Sequence, residues 1–257
     1  MPHIDIWLFA LGDWAPSWVF SILEGAEVAR ADKFLRKSDR AHFALCRATV
    51  KTILASYLAL PPQTLSFSLG PYGKPSLPNS PISFNISHTA THACLAISRS
   101  SLPLGCDIEC VRPSLDPMAL ASYFAPEEQR LLHHEQNASK RSKLFYQMWV
   151  RKEAVMKASG LGLLAGLDHI LAIRDTVTVT ADAGIKEPAW FSPGTTLFRD
   201  TEMAVAIPST HTPCTLAYGT LSFSSLQHFP ALTESIQSLR ARFAAKRPLS
   251  NTVIPLT

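Results

Sequence analysis

At 257 residues, 47% of them hydrophobic, the chain can form one large domain or two small ones and is too apolar for intrinsic disorder. No apolar run approaches the ~18 residues that span a bilayer, and a net charge of +4 suits an acidic partner without demanding nucleic acid. The cysteines Cys46, Cys94, Cys106, Cys110 and Cys214 are odd in number and scattered, which argues for reduced thiols in a soluble cytoplasmic protein and against a disulfide framework.

Residues 3–11 read as a first strand, with His3, Asp5 and Trp7 alternating with Ile4, Ile6 and Leu8. Asp5 and Asp13 flank its apolar run and no basic leader precedes it, so it does not read as a secretory signal. Residues 24–37 read as a basic helix. Ser38 is placed to cap the next, with Asp39 in its first turn and apolar positions from Phe43 to Leu58 at helical spacing, until Pro61-Pro62 stops it. Between Arg30 and Lys51 stand Arg30, Lys33, Arg36, Lys37, Arg40, Arg47 and Lys51 against only Asp32 and Asp39. Arg40, Arg47 and Lys51 share one helical face. Each alone reads as a solvated charge, whereas the cluster reads as an anion site.

Leu65, Phe67 and Leu69 alternate as a strand. Gly70 to Pro75 form a turn in which Gly73 is free to take positive φ and Lys74 stands on a rigid tip, as an exposed turn lysine or a ligand contact. Ile82, Phe84 and Ile86 mark a strand ending at Ser87-His88, both able to donate to a phosphate. No Gly-x-Ser-x-Gly elbow accompanies the serine, which excludes that hydrolase signature. Residues 93–98 give another strand.

Leu104, Cys106, Ile108 and Cys110 alternate with Gly105, Asp107 and Glu109, the period of a half-buried strand. Asp107 and Glu109 therefore share a face, roughly 7 Å apart at Cα. Cys106 and Cys110 point to the apolar side, where core packing is favoured over zinc binding. Pro126 and Glu127-Glu128 open a short helix after a loop containing Pro113 and Pro117. A long helix spans about 139–159 and ends at Gly160, with Gly162 and Gly166 beyond. On it Trp149, Glu153 and Lys157 are four residues apart and stack along one side. Trp149 reads first as a core residue, and Glu153 with Lys157 as either an exposed pair or functional groups. If strand and helix meet, three carboxylates can hold a hard cation such as Mg²⁺. Short strands follow at 170–173, 177–180, 189–191, 203–207 and 215–223, then an amphipathic helix over about 231–245 and a Pro-containing tail. The pattern is α+β, two pseudo-symmetric α/β lobes with a cleft between them: an N-terminal lobe over 1–102, a C-terminal lobe over 103–225, and an extension over 226–257.

Gly73-Lys74-Pro75, Phe84-Asn85-Ile86-Ser87-His88, Gly105-x-Asp107-Ile108-Glu109 and Trp149-x-x-Lys152-Glu153-x-x-x-Lys157, in this order, resemble the signature of Sfp-type 4′-phosphopantetheinyl transferases. Phe34, Asp39 and Met203 to Ala206 extend the resemblance over about 3–210. It implies a monomer that holds coenzyme A and Mg²⁺ between its lobes. The phosphopantetheine arm moves to a serine of an acyl or peptidyl carrier protein, and adenosine 3′,5′-bisphosphate is released. It makes Asp107, Glu109 and Glu153 the metal ligands, with Glu153 also a candidate base. Lys157, Ser87, His88 and Lys74 become coenzyme A phosphate contacts, and Arg30 the adenosine 3′-phosphate contact. Asp107, Glu153 and Lys157 are the catalytic set. Nothing in the resemblance covers the tail after about residue 225.

Two other readings use the same residues. A Mg²⁺-dependent phosphohydrolase would release phosphate or nucleotide with no carrier protein. A non-catalytic carrier-protein-binding module would use the basic surface and need no metal. Apolar residues from Met118 to Phe124 are candidates to dock the carrier.

Overall fold

The computed structural model describes residues 1–112, 116–162, 166–198 and 200–245, with Phe223 described by its backbone alone. In chain order the first half carries β1 (His3–Ala10), α1 (Ser17–Ile22), α2 (Gly25–Ala31), α3 (Lys37–Leu58), β2 (Ser68–Leu69), β3 (Pro75–Ser76), β4 (Ser83–His88) and β5 (His92–Ser98). The second carries β6 (Gly105–Cys110), α4 (Pro117–Ala121), α5 (Pro126–His134), α6 (Ala138–Ser159), β7 (Ile170–Leu171), β8 (Thr176–Val179), β9 (Ala189–Phe191), β10 (Gly194–Leu197), β11 (Thr201–Pro208), β12 (Thr215–Leu221), α7 (Phe223–Gln227) and α8 (Phe229–Ala245).

Several expected boundaries move. The basic helix expected over 24–37 stops at Ala31, and α3 begins at Lys37 with Arg36, not Ser38, at its N-cap. Its C-terminus is an αL cap at Ala59, before the two prolines. The strand expected from Leu65 to Leu69 shrinks to the two-residue β2, because Leu65 is buried under α3 while the chain turns to pair only with β3. α1, α7 and β10 carry too few residues for a periodic signal.

Two sheets are stacked between helical layers. The first has the order β12-β1-β5-β4, with β1 parallel to β12 and antiparallel to β5. Covered on both faces, β1 buries every residue from Ile4 to Phe9. Trp7 and Phe9 face the helices, where they join Leu45, Ile53, Ile236 and Phe243 in one core. Ile4, Ile6 and Leu8 face the second sheet, where Cys106, Ile108, Met203 and Val205 meet them. That sheet runs β10-β11-β9-β8-β7, with β6 also paired to β11. α6 packs on its far face through Val150, Ala154, Val155 and Ala158. The layers therefore run helix, sheet, sheet, helix, an α+β architecture as expected.

The expected division of the chain meets a crossover here. β12 falls within the span assigned to the second lobe, yet it pairs with β1 from His3↔Thr215 to Phe9↔Leu221. α8, assigned to an extension, packs its Leu232, Ile236, Leu239 and Phe243 into the core under the first sheet. The cause is apolar demand. Trp7 and Phe9 need a cover longer than α3 alone, and α8 supplies it.

Candidate functional site

Two strand ends and one helix build the site. β4 lies beside β6, where the Cys106 N–H donates to Asn85 Oδ1 at 2.8 Å and the Cys106 thiol to the Asn85 carbonyl at 3.2 Å. α6 is pressed onto β6 at Gly105. A Cβ there would lie 2.0 Å from the Ala154 carbonyl oxygen and 2.5 Å from the Ala158 nitrogen, so only glycine permits this approach. That contact brings Glu153 and Lys157, on the turn beside Ala154, over Asp107.

The Lys157 ammonium donates to Asp107 Oδ1 at 2.5 Å and to Ser87 Oγ at 3.0 Å. Ser87 Oγ in turn donates to Asp107 Oδ1 at 2.7 Å. Asp107 is 3% exposed, and its Oδ2 is buried with no hydrogen-bond partner among the described residues. Burial opposes the charge of Lys157, but Asp107 beside it outweighs that and holds its pKa above the ordinary value. Burial, then the Asp107 charge, raises both acidic neighbours: Glu153 moves up, and Glu109 is pushed to about 7 despite Arg112 and Lys157. Desolvation at the rim, with Lys157 and His42 nearby, lowers the His88 pKa.

Ile86, Ser87, His88, Asp107, Glu109, Trp149, Glu153 and Lys157 line one cavity of about 300 Å³. Trp149 is half-buried there, stacked on Phe124 and tilted against Phe145, and so forms a wall as well as part of a core. His88 and Glu109 also line a larger cavity of about 760 Å³, which reaches Arg30, Arg36, His42 and Arg112. Arg30 and Arg36 make no ion pair among the described residues. On the other side Lys157 and Ile86 border a cavity of about 200 Å³ with Tyr72, Lys74, Met156 and Gly160. Three spaces thus share walls in a row, with the acids in the middle.

The expected anion cluster of Arg40, Arg47 and Lys51 is not part of this row. Lys51 is fully buried and donates to Glu24 Oε1 at 3.1 Å and Glu27 Oε2 at 3.0 Å. Arg47 lies 3.5 Å from Glu27 and over the Phe67 ring, and Arg40 bonds Asp32 at 2.8 Å. The acids come from α2 and the residues on either side of it, Glu24 and Asp32, which composition within α3 does not reveal. Lys74 also departs from its expected exposed tip. Gly73 does take positive φ, at 79°, but the lysine turns inward and donates to the carbonyls of Leu104 (3.0 Å) and Ala158 (3.2 Å). Burial lowers its pKa to about 8. Arg36, which lines the larger cavity, belongs to the basic run of the sequence, whereas His42, Thr91 and Arg112 carry no motif signal; only the assembled fold brings them together.

The donor set fits a hard divalent cation in kind: carboxylate oxygens from Asp107, Glu109 and Glu153 on one cavity, an orphaned buried oxygen at Asp107 Oδ2, and two acids whose raised pKa a cation would reverse. In this conformation Lys157 holds Asp107, and among the described residues no three His, Cys, Asp or Glu side chains stand in a ligating arrangement.

The acids, the paired lysine and the neighbouring arginine-lined cavity are the kinds of groups that suit a phosphorylated ligand. The sequence pattern of the 4′-phosphopantetheinyl transferase superfamily matches residues 103–204, and that of the 4′-phosphopantetheinyl transferase N-terminal region matches 12–100. The 4′-phosphopantetheinyl transferase HetI of Nostoc sp. is 34% identical over 174 residues, 65% of this chain and 71% of its own. The 4′-phosphopantetheinyl transferase Sfp of Bacillus subtilis is 27% identical over 183 residues, 71% of this chain and 70% of its own. This chain belongs to the 4′-phosphopantetheinyl transferase family.

Proposed function

We propose that this transferase moves the 4′-phosphopantetheine group of coenzyme A onto a serine of an acyl or peptidyl carrier protein, releasing adenosine 3′,5′-bisphosphate. The observation that carries the reading is the shared cavity of Asp107, Glu109, Glu153 and Lys157, which has His88 and Glu109 as common walls with the Arg30 cavity. The nucleotide end of coenzyme A belongs beside Arg30, and its phosphates reach His88, Ser87, Lys157 and, on the next cavity, Lys74. The serine oxygen forms a bond to the phosphorus that bears the pantetheine arm. The bond from that phosphorus to the bridging oxygen breaks, and the bisphosphate leaves with the electron pair.

The serine must lose a proton, and Glu153 accepts it, directly or through a water. Burial raises its pKa only while no cation is bound; a metal on Glu153 would offset that rise, so the role as base rests on its place in the cavity beside Asp107 and Lys157. Lys157 stays cationic because Asp107 supports it, so it can meet charge building on the leaving phosphate. Asp107, Glu109 and Glu153 would hold Mg²⁺, which when bound neutralises diphosphate charge. The two halves of one chain supply all these groups, which supports a monomer, and the free thiols suit the cytoplasm.

The test is mass spectrometry of a carrier protein incubated with enzyme, coenzyme A and Mg²⁺. The carrier should gain about 340 Da, one phosphopantetheine, through the covalent transfer described. Release of nucleotide with an unchanged carrier would instead favour the phosphohydrolase. Asp107→Ala and Glu153→Gln should each lose at least about 100-fold in kcat/KM while staying folded by circular dichroism. Near-normal turnover by either variant would remove that residue from the assignment.

A further inference from the structure

One residue of the long-helix motif does not face the cleft. Lys152 stands next to Glu153 but points about 100° round α6 from it, fully buried, and its ammonium pairs with the equally buried Glu128 at 2.6 Å. The same ammonium donates to the Leu167 carbonyl at 2.7 Å and to the Ile170 carbonyl, and lies over the Phe124 ring at 4.6 Å. Glu128 uses both oxygens, accepting from the Ala172 N–H at 2.8 Å and the Ala125 N–H at 3.0 Å. One ion pair therefore ties α6 to the start of α5 and to the segment entering β7. Two fully buried charges are a costly way to hold three segments together, since apolar residues of like volume would serve at least as well. What the pair adds is a fixed direction.

That direction points at the cleft. Phe124, clamped between Lys152 and the α5 start, stacks on Phe145 at 5.1 Å and on Trp149 at 6.2 Å, and Trp149 is a wall of the acid cavity. Of the sides of that cavity, one leads past His88 to the arginines and another past Lys157 to Lys74, and in the transfer reading above the donor substrate takes both. The Trp149 side remains for the acceptor. Beyond it lies the α4–α5 turn, with Met118 and Leu120 half-buried and Tyr123 63% exposed.

We propose that the Glu128–Lys152 pair is a positioning device for the acceptor-facing wall: it sets the Phe124 turn and the Trp149 indole where the carrier's serine must pass. It contacts no reacting atom, and it rests on the carrier-transfer reading above. The expected consequence is selective. In a Glu128→Gln/Lys152→Met double variant, which removes both charges yet keeps an acceptor oxygen, the carrier KM should rise about tenfold while the coenzyme A dissociation constant stays within about twofold. Steady-state kinetics with the carrier varied, and calorimetry with coenzyme A and Mg²⁺, read these separately. Phe124→Leu keeps the ion pair and breaks only the aromatic link, and it should raise carrier KM in the same direction; it decides the matter if the double variant does not fold. An unchanged carrier KM in a folded variant, or equal losses toward both substrates, overturns the proposal. Failure of the underlying reading looks different, since the wild-type protein itself would then transfer nothing.

Discussion

Lys74 carries a cost at neutral pH that its neighbours do not. Its ammonium is buried against two carbonyls, and burial lowers its pKa from 10.5 to about 8. Below pH about 8 it is charged in both folded and unfolded chains, and the burial penalty is complete. Between about 8 and 10.5 the unfolded chain holds the extra proton, so this group's contribution to stability rises with pH. The stability of wild type minus that of Lys74→Gln should therefore grow from about pH 7 to about pH 10 in urea denaturation, and a flat difference would contradict the burial. Lys51 makes the opposite kind of case. Methionine there removes the hydrogen-bonded cation from Glu24 and Glu27, which remain partly exposed with Arg47 still beside Glu27, so a loss of about 1–3 kcal/mol is expected, with coenzyme A affinity of the folded protein unchanged. A large affinity loss without destabilisation would restore Lys51 to the anion site. Asp107, Glu109, Glu153 and Lys157 were legible because strand and helix periods dictate which side chains share a face. The fates of Lys51 and Lys74 were not, because each depends on a partner from a distant segment: Lys51 on α2, Lys74 on Leu104 and Ala158.

At the scale of elements, the contact of α6 on β6 decides whether the carboxylates meet. Gly105→Ala would place a methyl against the helix backbone, and backbone cannot rotate away as a side chain can. A destabilisation of about 1–3 kcal/mol or more is expected from the overpacking alone. Transfer activity should fall further than stability, because lifting α6 separates Glu153 and Lys157 from Asp107. Thermal unfolding and kcat/KM measured on one preparation distinguish the two, and activity falling only with the folded fraction would argue that α6 tolerates the shift. The elements themselves were largely readable where they were long or alternating: α3, α6, β4, β5 and β6 lie within a few residues of their expected spans. The six-residue α1 has no side-chain cap and no polar face long enough to show a period, and β2 with β3 forms a ladder of only two residue pairs. In the sequence Glu128 reads as one of two acids opening a helix. It does cap α5, but nothing local foretold that its other oxygen would reach Ala172 and its charge Lys152.

For the whole molecule, the return of the chain to its starting sheet matters most. Two lobes in sequence suggest two foldable halves, yet β1 sits between β12 and β5 and is paired on both sides, and α8 closes the core beneath it. Parallel pairing of β1 with β12 joins positions more than 200 residues apart, a link that periodicity cannot show. Phe243 is the key of that closure. It is 3% exposed, meets the Trp7 ring edge-on at 5.1 Å, and fills the space that Gly219 leaves by having no side chain. Phe243→Ala should therefore cost about 3–5 kcal/mol, the range for emptying an aromatic core site. Because the same sheet carries Ser87 and His88 while β6 carries Asp107 and Glu109, loss of α8 packing should unfold both halves of the cleft in one transition. Near- and far-ultraviolet circular dichroism should report coincident melting in the variant as in the wild type, with activity tracking the folded fraction. Two separated transitions, one retaining the second sheet and α6, would mean instead that the lobes are independent and that β12 and α8 only decorate the first.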